Sequence, residues 1–174
     1  MKLALVVFVA SMLVLKAFGQ EATRQDFNEF VKANKGRWLG QITFVTDWPG
    51  VGKKGDKVTA HSEVSIIEDG NAIFSRGFMG NGSSSSIVVY NANSKKILQQ
   101  GTASGGTVFS TVWSKVGDKW VGVRSGSLPD GRKVEGTIIS TFTDKDTTLT
   151  VTGSMTIDGK KTDEMHDVWH RVSN

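Results

Sequence analysis

From Gly36 to the C-terminus the chain alternates apolar and polar residues with a period of two, and what interrupts the alternation is turn chemistry. In Thr148 to Ile157 one face carries Leu149, Val151, Gly153, Met155 and Ile157, and the other Thr148, Thr150, Thr152, Ser154 and Thr156. In Val58 to Ile66 the faces are Val58, Ala60, Ser62, Val64 and Ile66 against Thr59, His61, Glu63 and Ser65. Successive strand side chains point to opposite sides, so each segment has one face for a core and one for water. Ten strands are predicted, at about 37–47, 57–67, 72–80, 86–91, 96–103, 107–116, 119–126, 132–143, 148–157 and 160–171. Between them stand Glu68-Asp69-Gly70-Asn71, Asn91-Ala92-Asn93-Ser94, Ser104-Gly105-Gly106, Gly117-Asp118, Leu128-Pro129-Asp130-Gly131, Asp144-Lys145-Asp146 and Asp158-Gly159. Asp-Gly between alternating runs signals a hairpin. Links this short join only antiparallel neighbours. An open sheet of that width would leave exposed edges, which closure removes. The expected fold is all-β, an antiparallel up-and-down barrel of about ten strands with one N-terminal helix.

That helix is predicted over roughly Gln25 to Lys35. Thr23 and Asp26 stand at capping-box spacing, Phe27, Phe30 and Val31 form a narrow apolar stripe, and Gly36 suits the residue after the end. A stripe this narrow docks on a sheet or closes one end of a barrel.

The N-terminus reads as a secretory signal. Met1-Lys2 precedes an apolar run from Leu3 to Leu15, then Lys16 and Ala17-Phe18-Gly19. The run is about 13 residues, short of the roughly 20 a spanning helix needs. Cleavage before Gln20 removes 19 of 174 residues, leaving one domain, residues 20–174, of 155. The protein is then expected to be secreted or periplasmic, with no membrane span after processing. Loss of Lys2 and Lys16 lowers the formal net charge from +4 to +2. The remaining basic residues are scattered among acidic ones, which argues against nucleic acid as a partner. With no Cys, disulfides, thiol catalysis and Cys-ligated metals are excluded. Oligomeric state is not specified.

Two stretches break the hairpin rhythm. Residues 47–56 form a long link with an exposed-looking Trp48, and residues 81–86, Asn-Gly-Ser-Ser-Ser-Ser, read as polar and flexible. Loops of this kind line the mouth of a rigid barrel. Asn81-Gly82-Ser83 also matches a glycosylation acceptor pattern.

No catalytic signature is present. Gly-x-Ser-x-Gly is absent, and Gly101 to Gly106 precedes a strand rather than a phosphate-binding helix. His166 and His170 share a strand face at about 13 Å, too far apart to chelate one ion. A metal would need His61 to join one of them with Glu63 or Glu164. Small inward residues such as Ala60, Gly77 and Gly153 leave room inside, and a barrel of this size can hold one small molecule. Trp48, Met79, Tyr90, Trp113, Trp120 and Phe142 are the candidate lining.

The sequence Gly36-Arg37-Trp38 after the helix, with Arg171 at the end of the last strand, resembles the lipocalin-like (calycin) barrels. The resemblance implies that Trp38 closes the barrel base and Arg171 packs across its ring. The chain is also similar to small exported bacterial domains of this shape that carry no established activity. Ten strands are closer to fatty-acid-binding-protein-like and nitrobindin-like barrels, though the helical lid of the former is missing. The nitrobindin likeness implies haem as an alternative cofactor, held by His166 or His170. Three readings follow. A binding module for a small apolar or amphipathic ligand, with no cofactor, predicts an aromatic-lined cavity open near 47–56 or 81–86. An enzyme or haem protein predicts polar groups converging inside. A structural or interaction domain predicts a filled core.

Overall fold

The computed structural model describes residues 21–173. The predicted signal segment and its cleavage point before Gln20 lie outside those residues. The chain opens with helix α1 (Arg24–Asn34), followed by strands β1 (Gly36–Thr43), β2 (Lys57–Ile67), β3 (Ala72–Met79), β4 (Gly82–Asn91), β5 (Lys96–Ala103), β6 (Thr107–Val116), β7 (Lys119–Ser127), β8 (Lys133–Thr143), β9 (Thr148–Ile157), β10 (Lys160–Lys161) and β11 (Met165–Ser173). Each strand pairs antiparallel with its neighbour, and β11 returns to β1 with Trp38 opposite Arg171 and Gly40 opposite Trp169. β9 carries β8 on one edge and β10 then β11 on the other. β10 and β11 are thus one interrupted stave, and the sheet closes as a ten-staved up-and-down barrel.

Local chemistry explains the elements. Thr23 caps α1, accepting from the Asp26 amide at 3.0 Å while Asp26 accepts from the Thr23 amide at 2.8 Å. After α1, Gly36 takes φ +112°, a conformation that costs glycine little. Asp158-Gly159 makes the β9–β10 turn with both residues at positive φ.

Three boundaries differ from expectation. β1 ends at Thr43, because residues 44–56 fold back as a strap in which Phe44 pairs with Asp56 and Trp48 with Gly52. β4 starts at Gly82, so the serine run is not a loop: Ser83 lies opposite Phe78, and Ser84 opposite both Gly77 and Ala103. Small hydroxyl side chains read as flexible, but here the backbone of Ser84 to Ser86 is paired on both edges. The last strand is broken at 162–164. Asn81 is left in an exposed turn.

The core lies in two clusters. Phe27, Phe30 and Val31 of α1 pack into one barrel end against Ile73, Val88, Ile97, Trp113, Trp120 and Ile138. The strap's Phe44 and Val51 pack with Ile42 and Ala60 at the other. A helix plug and a loop strap therefore close opposite ends, and the space between them is the site.

Candidate functional site

The barrel encloses a cavity of about 330 Å³ between plug and strap. Its inner surface has two characters. The β2–β7 side holds most of the polar groups, Ser62, Ser75, Ser84, Ser86, Gln99 and Arg124, set among Val64, Met79, Phe109 and Trp113. The β8–β11 side presents Ile138, Leu149, Val151, Met155, Ile157, Met165 and Trp169, with Ser140 and Asp167 as its polar members.

The polar side is organised. Trp113 Nε1 donates to Gln99 Oε1 at 2.9 Å, and Gln99 Nε2 donates to Ser86 Oγ at 2.9 Å. This fixes the Gln99 amide and leaves its polarity satisfied. Arg124 Nε donates to Thr111 Oγ1 at 3.0 Å, and the guanidinium carbon lies 4.5 Å from the centroid of the Phe109 ring. Phe109 has room because Gly101 faces it: a Cβ there would stand 2.4 Å from the ring. Burial lowers the Arg124 pKa to about 10, so the side chain is still a cation at neutral pH. Asp167 is buried and accepts from the Thr43 amide at 3.3 Å. Desolvation raises its pKa, opposed in part by the Thr43 bond and the charge of His166. These two are the charged residues of the cavity wall among the described residues, and no salt bridge joins them.

The strap forms one boundary. Trp48 sits on the β1–β2 connection, yet its Nε1 donates to Thr107 Oγ1 at 3.0 Å, at the start of β6. β6 lies across the barrel from β1, so this bond spans the mouth. Val51 anchors the strap beside β4, with its carbonyl accepting from the Asn81 amide at 3.2 Å.

Of the six candidate lining residues, Trp48, Met79 and Trp113 face the cavity. Trp48 is half-buried rather than exposed. Tyr90, Trp120 and Phe142 do not line it. They belong to the plugged end, where Trp120 packs edge-on against Phe30 at 5.0 Å, Tyr90 lies 6.5 Å from Phe27, and Phe142 lies 6.0 Å from Trp38. An inward aromatic can serve either the plug or the cavity, and only its height along the barrel distinguishes them.

The histidines are outside. His61, His166 and His170 are exposed, on the strand faces opposite the cavity residues Ser62, Met165, Asp167 and Trp169. His166 and His170, the residues named for the haem alternative, therefore stand outside the cavity. Glu63 is exposed on the β2 face that carries His61, Glu164 is exposed as well, and no group of three potential metal ligands forms among the described residues. Of the two stretches expected near an opening, 47–56 or 81–86, the second is paired strand from Gly82 on, with Ser83 and Ser84 in the cavity wall.

Sequence reasoning missed Arg124 and the serine side. The signal was present in the alternation of β7. Trp120, Gly122, Arg124 and Gly126 share one face, so a Trp at the start places the arginine inside.

No family model matches the chain, and no curated protein matches it. Among solved structures, the crystal structure of Rv2717c from M. tuberculosis matches with a TM-score of 0.58 at 12% identity, covering 87% of this chain and 99% of that one. At that identity the likeness shows the fold: an antiparallel β-barrel matched along nearly the whole of its neighbour.

Proposed function

We propose that this protein is an exported carrier or sensor of a small amphipathic molecule, held inside a lipocalin-like barrel. The observation that supports this reading is the two-sided cavity of about 330 Å³, with hydroxyl, amide and guanidinium groups on one side and aliphatic, Met and Trp side chains on the other. Ligand pockets of roughly 300–1,000 Å³ combine apolar area with a few placed polar groups in this way. A wholly apolar ligand would desolvate the terminal amines of Arg124 and the Ser62, Ser75 and Ser84 hydroxyls without replacing their water, and a wholly polar one would waste the aliphatic side. The lipocalin-like (calycin) assignment is supported by Trp38 at the plugged end with the Arg171 guanidinium 4.4 Å from its ring centroid. Export is supported by the N-terminal charge and hydropathy pattern.

The test is titration of the mature chain with N-phenyl-1-naphthylamine, an uncharged fluorescent amphiphile. Saturable binding near one per chain is expected, with quenching of cavity tryptophan emission. Ser75→Phe, which puts a ring into the cavity from β3, should abolish binding while the fold persists. Absence of saturable binding to the wild type, or unaltered binding to the filled variant, would remove this reading.

A further inference from the structure

We infer that the cavity's ligand carries a monoanionic oxyanion head, and that the Arg124 guanidinium is its anchor. This rests on the proposed amphiphile site and names the charge of its occupant.

A guanidinium offers five N–H donors in a planar fork. In Arg124, Nε is committed to Thr111 Oγ1 at 3.0 Å, and the fork lies against the Phe109 ring at 4.5 Å. Thr111 is itself buried, at 1% exposure. The side chain is therefore positioned from two directions, by a hydrogen bond and by a ring. Its two terminal nitrogens are not positioned by protein. Among the described residues neither donates a hydrogen bond, and no carboxylate lies within ion-pair distance. No buried side-chain nitrogen or oxygen lacks a partner, so these two amines reach open space, and the space they border is the cavity. Across the strand pair Arg124 faces Gly136, which has no side chain to cover it on that side.

A cation held this way inside a barrel is costly to the fold unless something neutralises it. Two parallel N–H groups, free and prearranged, match a carboxylate or sulfate bidentately. A neutral amphiphile would cover the guanidinium without compensating its charge. The apolar residues that follow Arg124 around the wall on β8 and β9, Val134, Met155 and Ile157, receive the tail of the same molecule. Asp167, the other charged residue of the wall, is engaged by the Thr43 amide and makes no ion pair with Arg124.

The experiment is calorimetric titration of the mature chain with sodium decanoate, sodium decyl sulfate and decan-1-ol, with thermal melting of each variant alone. On the wild type, at least one anion should bind about tenfold or more tighter than the alcohol, and the better of the two identifies the head as carboxylate or sulfate. Arg124→Met should lose that preference while still binding decan-1-ol. Arg124→Lys should fall between, since it keeps the charge and loses the fork. Without ligand, Arg124→Met should melt no lower than the wild type, because it removes an uncompensated charge. If wild type binds decan-1-ol as tightly as both anions, the anion inference falls and the amphiphile site stands. If none of the three binds, both fall. A Met variant that melts lower and loses all three ligands alike would make Arg124 a structural residue and overturn the assignment. Should that variant not fold, the wild-type comparison decides alone.

Discussion

At the scale of single residues, one arginine joins both chain ends. Arg171 stacks on Trp38, donates through Nη2 to the Ala33 carbonyl at 2.7 Å and through Nη1 to the Lys35 carbonyl, and through Nε reaches the Asp146 carbonyl at 3.0 Å. Trp38 Nε1 donates to the Asn34 carbonyl at 2.8 Å. The last carbonyls of a helix have no intrahelical partner and carry partial negative charge, so a cation and an indole N–H are suited to them. Trp38 is only 4% exposed. Trp38→Ala should cost about 3–5 kcal/mol, as other buried aromatics do. Arg171→Ala should cost about 0.5–2 kcal/mol from the ring contact and its stem. Because the side chains touch, the double variant in urea denaturation should lose less than the sum, and additive losses would show that the contact carries no coupling. Asp167 gives a pH prediction. Its folded pKa is raised by burial, so the folded state holds its proton more tightly than the unfolded chain does. Its contribution to stability is therefore full at low pH and declines as pH rises from the unfolded value, about 3.9, through the folded one. Asp167→Asn keeps an acceptor for Thr43 and removes the titration. The urea midpoint of the Asp167→Asn variant minus that of wild type should grow with pH across that window, and a flat difference would rule out the ionisation cost.

At the scale of elements, two non-strand pieces give the barrel its ends. α1 is a fixed plug: its Phe27 is fully buried, and Lys115 of β6 pairs with Glu29 on its outer side. The strap of residues 44–56 is held more sparsely, by the Trp48–Thr107 bond, the Val51–Asn81 bond, an exposed Lys54–Asp163 ion pair and the packing of Phe44 and Val51. The carrier reading therefore predicts that a ligand enters past the strap. Trp48→Ala should cost about 1–2 kcal/mol through one lost hydrogen bond and partial burial. It should also speed both association and release of N-phenyl-1-naphthylamine by about threefold or more in stopped flow, with a smaller change in affinity, since a lid affects the barrier more than the bound state. Unchanged rates would place the access route elsewhere.

At the scale of the whole molecule, closure of the sheet brings β11 beside β1, and every long strand then has two partners. This accounts for a chain without disulfides keeping a hollow interior: paired backbone forms the wall, and the packing lies at its two ends. If residues 1–19 are an export signal, intact-mass analysis of secreted protein should give a chain beginning at Gln20, and a membrane-retained form keeping Leu3 to Leu15 would contradict that.

The alternation of single strands, the capping box at Thr23, the Asp-Gly turn at residues 158–159 and the inward face of β9 were all legible in sequence, because each depends on residues adjacent in the chain. The meeting of Trp38 with Arg171 was legible through topology, since an up-and-down barrel must bring its first and last strands together. What only the tertiary structure decided is height and enclosure. Whether Trp113 faces the cavity while Trp120 supports the plug depends on how strands from distant parts of the chain are staggered around the barrel. Whether Ser84 to Ser86 are loop or strand depends on neighbours that pair on both edges. Arg124 follows the same logic. Its face could be read from Trp120 and Gly122, but its two unengaged nitrogens result from which groups the surrounding strands failed to bring near it, and a sequence pattern records faces, not distances.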